Sequence, residues 1–65
     1  MKYYKLQVQK KKQFYERTGY PDVIYFCGIV TSNKKKAITI ATELLPLNHR
    51  HMYNKPQIVH YSELP

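Results

Sequence analysis

His49-Arg50-His51 is the segment of this chain whose residue types most directly suggest chemistry. In extended backbone, alternate residues share a side, so His49 and His51 would present both imidazoles together. His60 or Cys27 would then complete a metal set. Against that reading, no Cys-x-x-Cys accompanies the pair and no carboxylate lies near it in sequence. Cys27 beside a histidine would make a nucleophile pair, yet it falls within an apolar run, where a thiol packs as an inert hydrophobe. A metal-free nuclease using His51 or His60 as acid or base lacks supporting pattern, because Gly19 and Gly28 form no phosphate-cradling loop. The expectation is therefore no enzyme, no metal and no cofactor. Arg50 is expected instead to contact phosphate, with the histidines hydrogen-bonding to phosphate or sugar.

Charge gives a broader signal. The chain carries a formal net +7 on 65 residues, much of it in Lys10-Lys11-Lys12 and Lys34-Lys35-Lys36. Glu16, Asp22, Glu43 and Glu63 are scattered and neutralise little of it. Lysines track a phosphate backbone, and exposed aromatic rings stack on unpaired bases. The expected nucleic-acid contacts are thus Lys10, Lys11, Lys12, Arg17, Lys34, Lys35, Lys36 and Arg50, with Tyr15 and Tyr20 as stacking rings and Tyr3 and Phe14 as further candidates. Lysine runs also serve as solvated turns that protect strand edges, which is the plainer reading of the same residues. The partner can be DNA or RNA. The alternative is an acidic protein, docked by an inhibitor or accessory subunit through electrostatic complementarity. A homodimer is compatible with so small a chain.

These residues need elements to position them. Tyr4, Leu6 and Val8 alternate with Lys5, Gln7 and Gln9, the period of a half-buried strand. Thr18-Gly19-Tyr20-Pro21-Asp22 reads as a turn. Val23–Thr31 is β-branched, aromatic and apolar on both faces, a strand with Tyr25, Cys27 and Ile29 on one side. After a polar turn at Ser32-Asn33-Lys34-Lys35, residues 36–44 resume a strand pattern, pairing Ile29 with Ile38 and Cys27 with Ile40. A helix competes for 38–45, because Ile38, Ala41, Thr42 and Leu45 also fall on one helical stripe; the Ile and Thr content and Pro46 favour the strand. Pro46 to Asn54 reads as a loop, and Gln57–Tyr61 as a last strand with Pro56 at its start.

Two apolar faces on one hairpin call for cover on both sides. The expected fold is mainly β: one domain, residues 1–65, forming a small antiparallel barrel or strongly curled sheet, SH3-like or OB-like, of four or five strands. Gly28 would bend a barrel corner. If the first two strands pair antiparallel, the lysine clusters lie at opposite ends of the pair. No run approaches the length of a membrane span, and a single cysteine fits a reducing, cytoplasmic setting.

Overall fold

The computed structural model describes residues 1–14 and 23–64. Three strands, β1 (Lys2–Gln9), β2 (Val23–Thr31) and β3 (Gln57–Glu63), form an antiparallel open sheet in the order β2-β1-β3. One α-helix, α1 (Lys34–Leu44), follows β2, and short 3-10 turns occupy Lys12–Phe14 and Leu47–Met52.

The alternation in β1 places Tyr4, Leu6 and Val8 in the interior, each fully buried. Opposite them on β2 stand Ile29, Phe26 and Ile24, and on β3 Tyr61 and Ile58 face Tyr4 and Leu6. The helix covers this side. Ala37 and Ala41, one turn apart, are fully buried against Tyr4, Leu6 and Ile29; their small side chains bring the helix close to the sheet. A second cluster of Val8, Leu45, Met52 and Tyr53 continues the core beneath the 3-10 turn. Burying each large side chain contributes about 1.5–3 kcal/mol before entropy is counted.

The expected barrel is overturned: the sheet is open, and among the described residues it has three strands, not four or five. The cause is local. Asn33, extended at φ −153°, accepts a hydrogen bond on Oδ1 from the Lys36 amide at 2.9 Å and caps a helix rather than turning a hairpin. Thr39 and Thr42, counted against a helix, donate their hydroxyls to the carbonyls of Lys35 and Ile38, one turn back. The helix stops at Leu45, extended ahead of Pro46 as a residue preceding proline prefers. The pairing of Ile29 with Ile38 and of Cys27 with Ile40 therefore does not exist.

The second apolar face of β2 has no cover within the described residues. Tyr25 and Val30 are exposed, and so is Cys27, which was expected in the core. Tyr25 lies under Lys5, whose Nζ sits 5.6 Å from the ring centroid. Gly28 bends the sheet as a bulge, not as a barrel corner. Its φ of +85° is easy for glycine and strained for most other residues, and the register of β1 against β2 shifts between Tyr4 and Leu6 at that place. β3 shifts register opposite the same stretch, between Lys5 and Leu6.

Candidate functional site

The start of α1 lies beside the start of β1, and residues of the two border an open groove of about 570 Å³. Lys34, Lys35 and Lys36 supply its helical wall, Ser32 and Asn33 its rim, and Lys2 and Tyr4 its sheet wall. The first turn of the helix contains no acidic residue. The free N–H groups there carry about half a positive charge, so each nearby cation costs roughly 0.3–1 kcal/mol where a carboxylate would stabilise. Three lysines in that turn oppose the local field, and an anion placed in the groove offsets it.

Two of the ammonium groups share one aromatic ring. Lys2 Nζ lies 5.5 Å and Lys34 Nζ 5.7 Å from the centroid of Tyr61. Lys2 also approaches Glu63 Oε1 at 3.8 Å, an ion pair wet enough to contribute little. The Tyr61 ring in turn leans on Tyr4, with centroids 6.1 Å apart and planes tilted by 32°. Tyr4 is fully buried, and its hydroxyl has no hydrogen-bond partner among the described residues. A buried donor left unmade costs about 1–3 kcal/mol.

The structure divides the residues expected from the sequence. Lys34, Lys35 and Lys36 all line the groove. Lys10, Lys11 and Lys12 sit at the far end of β1, as antiparallel pairing of β1 and β2 requires. Lys10 is itself fully buried, its backbone bridged to Tyr53, so it is no surface contact. The Lys11 amide donates to the Met52 carbonyl at 2.7 Å, and Lys12 is exposed. Arg50 serves the fold: Nε donates to the Leu45 carbonyl at 3.1 Å and an η nitrogen to the Glu43 carbonyl at 3.0 Å, closing the C-terminus of α1. Tyr15, Arg17 and Tyr20 lie outside the described residues. Tyr3 is half-buried next to Gly28, and Phe14 meets the His51 ring edge-on at 5.6 Å.

The His49-Arg50-His51 segment is not extended but forms part of the 3-10 turn Leu47–Met52, so the alternation that would have aligned the two imidazoles is absent. Among the described residues, no three His, Cys, Asp or Glu side chains come together as a metal set. Among the same residues, no helix is long and apolar enough to cross a membrane.

Sequence reasoning missed Lys2, Tyr4 and Tyr61 as parts of a charged site. Tyr4 and Tyr61 read as strand residues, and Lys2 stands outside both lysine runs. Asn33 followed by three lysines was the available sign, since an Asn N-cap places the next residues in a helical first turn. Comparison with known protein families, with curated proteins and with solved structures finds no match to this chain.

Proposed function

We propose that this chain is a small, non-enzymatic nucleic-acid-binding module that grips the phosphate backbone at the start of α1. The observation that carries the reading is the first helical turn, Lys34-Lys35-Lys36 without an acid, joined by Lys2 from the sheet. A helix N-terminus favours anions, and four lysines lining one groove suit a polymer of phosphates better than a lone carboxylate. The uncovered sheet face adds Tyr25 and Tyr3 beside Lys5, rings on which an unpaired base can stack. Lys12, at the other end of β1, gives the strand a second point of attachment.

Fluorescence anisotropy tests this with a labelled single strand, a duplex and an RNA hairpin at roughly 50 and 200 mM salt, where phosphate-driven affinity falls steeply. Reversal of Lys34, Lys35 and Lys36 to Glu is expected to weaken binding. It should also lower the salt slope by about 0.7–0.9 for each phosphate that the variant no longer neutralises. The same reversal places acids at a helix N-terminus, so the variant is expected to fold at least as stably, which separates a binding defect from a folding defect. Absence of binding at the lower salt overturns the reading. Capture of one stoichiometric acidic protein after nuclease treatment would then favour a protein-docking role.

A further inference from the structure

We infer that the groove at the start of α1 is a seat for one phosphoryl group, and that the Tyr4 hydroxyl is its buried hydrogen-bond donor. Two independent observations meet there. The helix terminus offers the N–H groups of Lys34 and Lys35, ahead of the Lys36 amide that Asn33 caps, in a groove lined by Lys2, Lys34, Lys35 and Lys36. From the sheet side, Tyr4 lines the same groove, fully buried, with a hydroxyl that bonds to nothing among the described residues. A core position needing only a ring would be served by Phe. The oxygen is unexplained by packing, and an oxyanion in the groove accepts its hydrogen bond while the lysines neutralise the charge.

A phosphoryl group fits better than a carboxylate for a geometric reason. Its tetrahedral oxygens can face the helix, the lysines and the sheet at once, whereas a planar carboxylate has two oxygens in one plane. The lysines that line the groove have long, rotatable chains that can move to admit the ligand. The inference rests on the nucleic-acid reading for the source of the phosphate and on Tyr4 for the seat itself.

The test is an amide-resolved NMR titration of the wild-type chain and Tyr4→Phe with inorganic phosphate. Oligonucleotides with and without a 5′-phosphate are titrated in parallel. Phosphate is expected to shift the amides of Lys34 and Lys35, which precede the Lys36 amide held by Asn33. Tyr4→Phe is expected to weaken phosphate binding roughly tenfold while keeping the native spectrum, the loss of one hydrogen bond to a charged acceptor. Lys35→Gln, exposed and away from the core, is expected to weaken it as well. Preference for the 5′-phosphorylated strand assigns the seat to a strand end, and equal affinity with the same Tyr4→Phe loss assigns it to the internal backbone; either supports the seat. Equal phosphate affinity in wild type and Tyr4→Phe overturns it. Oligonucleotide binding untouched by phosphate or by Tyr4→Phe also overturns the seat and leaves the nucleic-acid reading standing. Phosphate binding that Tyr4→Phe weakens, without oligonucleotide binding, supports the seat and removes that reading.

Discussion

Tyr4→Phe removes one oxygen and leaves the remaining packing in place. In the folded chain that oxygen is out of water and without a partner among the described residues, so its presence costs about 1–3 kcal/mol relative to the solvated unfolded state. The ring keeps its neighbours Leu6, Ile29, Ala37 and Ala41 and its tilted contact with Tyr61. Against this gain stands the void left by the oxygen, which at roughly 24 cal/mol per Å³ and about 12 Å³ amounts to about 0.3 kcal/mol. The net expectation is a variant more stable by about 1 kcal/mol or more, a rise in Tm of about 4–8 °C per kcal/mol for a domain of this size. Urea and thermal denaturation followed by circular dichroism measure it. The buffer must be free of phosphate and sulfate, because an anion bound only to the folded state would stabilise the wild type and hide the difference. Adding phosphate should then narrow the gap. A Tyr4→Phe variant less stable than wild type by about 0.5 kcal/mol or more would refute the reasoning, since a net hydrogen bond contributes about that much. The hydroxyl would then be satisfied within the fold.

Three further outcomes follow from the geometry. Arg50→Ala removes the donors to the Leu45 and Glu43 carbonyls and is expected to cost about 1–2 kcal/mol in urea denaturation, while the salt slope of nucleic-acid binding stays unchanged. Gly28→Ala would place its Cβ in ordinary contact with Tyr3 Cε2 at 3.9 Å, without a clash, so its expected cost of about 1–2 kcal/mol is that of a side chain at positive φ; Gly28→Asn should recover part of it in the same denaturation assay. Lys10→Glu reverses a fully buried charge and is expected to cost about 3 kcal/mol or more, whereas the exposed Lys12→Glu should stay within about 0.5 kcal/mol, a contrast that thermal unfolding reads directly.

The strands were legible because their signals are periodic and local. Tyr4, Leu6 and Val8 announce the buried side of β1, and Pro56 marks where β3 begins. The alternation also extends one step further, to Lys10, and places it inside; charge alone argues for the surface there, and the period is the better guide. The helix was hidden for a different reason. Its Ile and Thr content speaks for strand, and what decides the matter is a single capping side chain at Asn33 together with two hydroxyls that bond back one turn. With α1 read as a strand, the hairpin it made with β2 had two apolar faces to cover, and the barrel followed from that error. The groove was legible only in part. Three of its lysines stand together in sequence, but Lys2, Tyr4 and Tyr61 join them through a sheet whose order the residues do not encode locally. Arg50 shows the converse: a cation chosen for its charge, whose donors face the carbonyls at a helix end.

The order of the sheet has a consequence for how the protein is made. β1 is the first strand in sequence and the central one in space, and its two neighbours arrive at different times. Val23–Thr31 leaves the ribosome soon after it, while Tyr61, the partner of Tyr4 on the other side, is among the last described residues to be synthesised. Until then one row of β1 backbone groups stands without its strand, offered to any extended segment nearby, including the same edge on a neighbouring nascent chain. Slow emergence of residues 57–63 is therefore expected to raise the share of chains whose β1 edge pairs with another chain instead of its own β3.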